Sequence, residues 1–242
     1  MKLLIDADIV AYQAAVSAQT SGSWTDNEHH VFGMMEKGKA KQQVKSYIDR
    51  TMEATGAKGF IMCLSGDNNF RYDVASYYKG NRKSTCKPIG LGELKDYIAK
   101  TYESITVDNL EADDVMGIYG SRSSDYIVVS EDKDLQTIPC TLFNPAKDKE
   151  VRHITQAQAD FFLYCQVLAG DTTDGYTGCP SFGMKTAEKW LTKHGTSWDS
   201  VVAGYRSKDL GEQLALENMR LARILRDGEY DFKTGEVKLW TP

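Results

Sequence analysis

Nine carboxylates stand where short apolar runs give way to turns: Asp6, Asp67, Glu111, Asp113, Asp114, Asp132, Asp134, Asp171 and Asp174. An acid inside an apolar run is costly to bury unpaired, so it either faces solvent or binds a cation. Glu111 and Asp114, at i and i+3, share a helix face. The helix macrodipole accounts for one or two acids at a helix start, but not for five such clusters along one chain. The four histidines are scattered, and the five cysteines (Cys63, Cys86, Cys140, Cys165, Cys179) are odd in number and form no C-x-x-C pair. A zinc site and a disulfide framework are therefore not indicated. Oxygen donors alone suit hard cations, magnesium or manganese. So many acids exceed the needs of one octahedral ion, which implies two ions about 4 Å apart, the arrangement used for in-line displacement at phosphorus.

Such a constellation needs elements that bring the acids together. LLIDADIVAY, AKGFIMCLS and DYIVVS read as strands bounded by turn-formers. Asp6 and Asp8, two apart in the first run, are expected on the same side of a strand. Helical patterns cover residues 38 to 55, 91 to 103 and a stretch from Leu110. Alternating strand and helix predicts a mostly parallel sheet covered by helices, with the carboxyl ends of its strands along one ligand-binding edge. After Pro145 the pattern turns helical. TQAQADFFLYCQVLA reads as a helix capped by Thr155, GDTTDGYTGCPSFG as a turn-rich linker, and MKTAEKWLTKH and residues 209 to 226 as further helices. EVKLW could add a closing strand. We place the border near residue 152, giving an α/β domain over 1–152 and a helical domain over 153–242.

Basic residues accompany the acids. Lys79, Arg82, Lys83, Lys87 and Lys95 face Glu93 alone within residues 79 to 95, and YYKGNRK mixes aromatics with cations as a nucleic-acid strand requires. Lys37, Lys39, Lys41 and Lys45 read instead as a solvated helix face. Gly178 and Gly183 lie in a turn that feeds a helix start carrying Lys185, followed by Lys189 and Lys193. Free N–H groups there form an anion site, although an ordinary glycine turn before a surface helix fits the same residues.

LLIDAD, YKGNRK, LEADDV, SEDKDL and GDTTDG...GMKTA, in that order, resemble the successive motifs of the 5′-nuclease, or flap endonuclease, family. The ending ARILRDGEYDF...EVKLW is similar to the 5′ to 3′ exonucleases of short-tailed, T7-like bacteriophages. The resemblance spans nearly the whole chain and implies a Rossmann-like (PIN-like) sheet followed by a helix-turn-helix element. It makes the nine carboxylates metal ligands, with Glu111, Asp113 and Asp114 nearer one ion, Asp171 and Asp174 nearer the other, and Asp132 and Asp134 between. Lys79 and Arg82 would steady the scissile phosphate. Lys83, Lys87, Gly178, Gly183, Lys185 and Lys189 would hold DNA, with a potassium ion at the Gly178–Lys185 turn as a further candidate. Asp8 has no ligand counterpart and is expected behind the ligands. Ser181 stands where the family commonly has glycine, which predicts a differently shaped turn and counts against potassium. The stretch after Arg82 is short for a large helical arch.

The implied activity is metal-dependent 5′ to 3′ exonuclease action on duplex DNA with 5′ ends, nicks or flaps. It extends to flap cleavage and RNA paired to DNA, in phage replication, primer removal and host DNA degradation. The expected setting is the host cytoplasm, as a monomer beside phage replication proteins and with no membrane partner. Two rivals remain: an aspartyl phosphatase using Asp6 and Asp8, and a DNA-binding module without catalysis. The net charge of -5 does not exclude nucleic acid, because the proposed ligands hold much of the negative charge and the rest of the chain is net basic.

Overall fold

The computed structural model describes residues 1–25, 29–84 and 86–242, with side chains at 21–32 and 83–85 outside the description. The first apolar run is a strand only as far as its first acid. β1 (Lys2–Asp6) ends at Asp6, whose side chain accepts from the Ile9 amide at 3.1 Å and caps α1 (Ala7–Ala18). Asp8 therefore lies in the first turn of a helix, not beside Asp6 on a strand. The buried face of α1 is Ala7, Val10, Ala11, Ala14, Ala15 and Ala18. Alanine is the strongest helix former, and a capping aspartate supplies the start.

An antiparallel hairpin follows, β2 (Gln19–Thr25) with β3 (His29–Met35). Next come α2 (Lys37–Thr55), β4 (Phe60–Ser65) and the single-turn α3 (Arg71–Val74). A 3-10 turn over Gly80–Ser84 leads to α4 (Leu91–Thr101), β5 (Ser104–Val107), α5 (Ala112–Arg122) and β6 (Tyr126–Val129). A second 3-10 turn, Lys133–Thr137, precedes β7 (Thr141–Phe143) and β8 (Arg152–His153). The six strands are ordered β5-β4-β1-β6-β7-β8 and are parallel except for β8. From β1 the chain builds outward through β4 and β5, then returns to lay β6 on the other side of β1. The β1/β6 boundary is thus the switch point at which open parallel sheets place their ligands.

One face of the sheet packs on α1, α2 and α4 through Val10, Val44, Ile48, Leu94 and Ile98. The other packs on α5 and on Ile224 and Leu225 through Leu4, Val115, Ile118 and Val128. The later chain holds α6 (Gln156–Ala169), the small hairpin β9 (Gly170–Asp171) and β10 (Tyr176–Thr177), α7 (Met184–His194), α8 (Trp198–Arg206) and α9 (Glu212–Ala222). Thr155 and Gln158 form a capping box at the start of α6. These helices share a third core that also takes in Ala75 and Tyr78. The stretch read as one helix over 209 to 226 is α9 followed by extended chain. EVKLW contributes β12 (Glu236–Val237), which pairs only with β11 (Tyr230–Asp231) and does not extend the main sheet.

The α6–α7 connection depends on a close backbone approach. A Cβ on Gly178 would lie 2.3 Å from the Ala169 carbonyl carbon and from the Gly170 nitrogen, whereas one on Gly183 would meet nothing within 4 Å. Ser181 adopts φ 68°, a left-handed backbone conformation that usually favours glycine. Gly178→Ala is expected to cost about 2–3 kcal/mol in urea unfolding, the scale of overpacking a tight contact, while Gly183→Ala stays within about 0.5 kcal/mol.

Candidate active site

A cleft of about 410 Å³ opens at the carboxyl edge of the sheet. Seven of the nine acids line it: Asp6, Glu111, Asp113, Asp132, Asp134, Asp171 and Asp174, together with Tyr78, Lys79, Arg82 and Lys133. Each acid is fixed by the end of an element. Asp6 is held by the Ile9 amide and by the Ser130 hydroxyl, which donates to its Oδ2 at 2.8 Å. Glu111 is the N-cap of α5, and Asp113 lies in its first turn. Asp132 caps the 3-10 turn after β6 by accepting from the Asp134 amide at 2.8 Å, and Gln166 of α6 donates to Asp134 Oδ1. Asp171 Oδ1 accepts from the Thr173 amide at 2.7 Å.

Two expected ligands stand elsewhere. Asp67 is exposed and does not line the cleft. Gly66 is pressed against the Val107 carbonyl, where a Cβ would come within 2.3 Å, and the chain turns away over β5 so that Asn68 bonds Asp108. Asp114 is fully buried and accepts two 2.8 Å bonds from the Arg71 guanidinium. Consecutive helix residues point about 100° apart, so Asp113 facing the cleft sends Asp114 into the protein. Asp8 lines the cleft as well, paired with Lys95 at 2.8 Å.

The cations divide the acids into two groups. Lys79, with a positive φ of 51°, bonds Glu111 and lies 3.9 Å from Asp174. Arg82 reaches Asp174 at 2.7 Å, and the Tyr78 hydroxyl donates toward Glu111 at 3.2 Å and Asp174 at 3.1 Å. Lys133 bonds Asp171 at 3.1 Å. Burial works against the charge on Glu111, but Arg71 and Lys79 outweigh it and hold the carboxyl below its ordinary range. Burial likewise opposes the charge on Asp171, where the Lys133 and Thr173 hydrogen bonds win. For Asp174 burial prevails over Lys79 and Arg82 and the carboxyl moves up. Asp6 and Asp134 are pushed up to about 7, each by burial first, and Asp113 rises well above its ordinary value through burial and the neighbouring Asp6 and Asp132.

Eight lining acids, Asp8 included, against four lining cations (Arg71, Lys79, Arg82 and Lys133) leave an excess of negative charge, and every donor is oxygen. The residues fit hard divalent ions. Among the described residues, no group of three or more potential ligands is already gathered around a single ion position.

Sequence reasoning missed Arg71, Tyr78, Lys133, Ser130 and Gln166. Arg71 is 2% exposed and also bonds the Leu221 and Arg223 carbonyls, so it ties α5 to the chain beyond α9. An arginine inside FRYDV was the available signal. Lys87, Lys185, Lys189 and Lys193 are exposed and do not line the cleft, and the Lys83 side chain lies outside the described residues.

A helix-covered, mostly parallel sheet with an acidic, cation-flanked cleft at its switch edge defines a nuclease of resolvase-like fold. The chain belongs to the 5′-3′ exonuclease family, whose N-terminal resolvase-like domain model matches residues 1–160. It is similar to the exodeoxyribonuclease of Enterobacteria phage T3 and the exonuclease of Escherichia phage T7. Each is 29% identical and aligned over 99% of this chain, covering 92% and 93% of the respective relative. Among solved structures, the phage T5 D15 protein co-crystallised with metal ions superposes with a TM-score of 0.67 at 16% identity, covering 91% of this chain and 88% of that one. The phage T5 flap endonuclease in a pseudo-enzyme-product complex with DNA and metal ions gives 0.62 at 17% identity over the same shares. Family membership makes the chain a 5′-3′ exonuclease, and neither the phosphatase nor the non-catalytic reading is retained.

Replacing Arg71 by Met should cost about 3–5 kcal/mol in chemical unfolding, because Asp114 is left buried without its partner. The raised carboxyls set a pH dependence. Asp6 and Asp134 hold a proton in the folded chain that the unfolded chain releases near 3.8. Metal-free protein should therefore lose stability as pH rises from about 4 to about 7, with Glu111 and Asp171 acting in the opposite sense below that window. Melting temperatures across this range in a chelating buffer check the sign.

Proposed function

We propose that the enzyme hydrolyses phosphodiester bonds near the 5′ ends of duplex DNA, with seven of the lining carboxylates holding two magnesium or manganese ions. The observation that carries this reading is the convergence of these acids, from the ends of β1, β6 and α6 and the start of α5, beside Lys79 and Arg82. Bound divalent ions would supply Lewis acidity at the phosphate and lower the pKa of water. Lys79 and Arg82 offset charge developing on the phosphate oxygens. Tyr78 orients Glu111 and Asp174. Asp6 is 3% exposed and bonded at both oxygens, which suits a held ligand better than a nucleophile.

The helices after residue 153 form the duplex-holding part in this reading. α6 and α7 act as the helix-turn-helix element, Gly178 and Gly183 shape the turn, and Lys185 and Lys189 contact phosphates. Lys87 extends the contact from the segment after Arg82. Potassium at the Gly178–Lys185 turn is a further candidate, and the left-handed backbone of Ser181 is one that glycine also adopts. Flap cleavage and action on RNA paired to DNA belong to the same site chemistry. We place the enzyme in phage replication, as a monomer in the host cytoplasm. No helix among the described residues is long and apolar enough to cross a membrane.

Asp132→Asn or Asp171→Asn should lower magnesium-dependent release of 5′ nucleotides from end-labelled duplex by roughly 100-fold or more, while leaving the circular dichroism spectrum unchanged. Full activity in either variant would refute the site assignment. Chelation of divalent ions should abolish release and leave residual DNA binding that weakens with salt.

A further inference from the structure

Lys133 occupies a position that the proposed ligand set leaves unexplained. It is the first residue of the 3-10 turn after β6, between Asp132 and Asp134, and its backbone is pinned by the Asp132 cap and by the bond from the Asp132 amide to Ser130 Oγ at 3.1 Å. From that fixed base the ammonium reaches Asp171 Oδ2 at 3.1 Å and lies 3.9 Å from Asp134 Oδ1. The other Asp171 oxygen is already engaged, accepting from Thr173 at 2.7 Å and Asp174 at 3.4 Å. Oδ2 is thus the oxygen that a metal ion at Asp171 would take, and Lys133 is bonded to it. The Lys133 side chain is 56% exposed while that of Asp171 is 8% exposed, so the lysine is the mobile partner.

We propose that Lys133 is a displaceable internal counter-ion. It neutralises Asp171 and Asp134 until a divalent ion takes their oxygens, and that ion then drives the ammonium outward to contact a phosphate of the bound strand. The claim rests on the metal-site reading above. A double positive charge at Asp171 repels the ammonium from its present position, and the flexible, strongly hydrated lysine head suits a phosphate at the cleft mouth. Lys79 differs in this respect. Its side chain is only 17% exposed and it shares Glu111 with Arg71, so it stays as a fixed wall of the cleft.

The test is Lys133→Met, with binding of manganese to the DNA-free protein followed by calorimetry. The variant should bind manganese roughly three- to tenfold more tightly, the scale of one charge-assisted hydrogen bond removed from competition. In calcium-containing buffer its affinity for duplex DNA should fall, with the slope of log affinity against log salt reduced by about one. Manganese affinity equal to or weaker than wild type would overturn the proposal while leaving the metal site standing. If neither protein binds manganese, the metal-site reading fails and takes the counter-ion role with it. A circular dichroism spectrum matching wild type and a single cooperative unfolding transition in chelating buffer verify that the substitution has not altered the fold, with the melting temperature lowered by the loss of the Lys133–Asp171 bond.

Discussion

Eight carboxylates facing one cleft repel one another, and the surrounding structure is arranged to tolerate that repulsion. Asp113 is placed by the first turn of α5, and each of the others is held at the end of an element by an amide, a hydroxyl or a cation. Burial deepens the conflict at Asp6, Asp113 and Asp134, which stay protonated to higher pH than exposed acids do. A cleft that is strongly acidic when empty and nearly balanced when filled is suited to capturing hard cations and, through them, a polyanion.

Arg71 supports this arrangement from behind. Its guanidinium is buried, satisfied by Asp114 and by two carbonyls from the end of α9, and close enough to Glu111 to lower its pKa. Buried ion pairs are a poor source of net stability, yet losing one partner is costly. The pair therefore acts mainly as a registration device. It fixes the start of α5, and with it Glu111 and Asp113, against the end of α9.

Much of this was legible in the sequence because acids at the ends of apolar runs are rare without a reason. The parallel sheet, the helix over 156 to 169 with its Thr155 cap and the grouping of Asp132, Asp134, Asp171 and Asp174 followed from spacing alone. What was not legible depended on direction and tertiary context. Asp113 and Asp114 are adjacent letters but point about 100° apart on α5, one to the cleft and one into the core. The alanine-rich α1 lacks the large apolar stripe that marks a helix, so LLIDADIVAY read as one strand. Asp67 looked equivalent to the other strand-end acids until the tight packing of Gly66 turned the chain away. The positive φ of Ser181 is likewise not announced by its residue type. Cations were harder to assign than acids, since Lys133 went unremarked, Lys95 was grouped with the basic segment after Lys79, and only the fold shows which carboxylate each one meets.

The central claim is that the excess negative charge of this cleft is there for divalent ions. It is tested most directly by anomalous scattering from crystals grown with manganese. The account predicts manganese peaks among Asp6, Asp132, Asp134 and Asp171, with the Lys133 ammonium withdrawn from Asp171. Manganese bound only outside the cleft, or a cleft without manganese and with Lys133 still on Asp171, would contradict it.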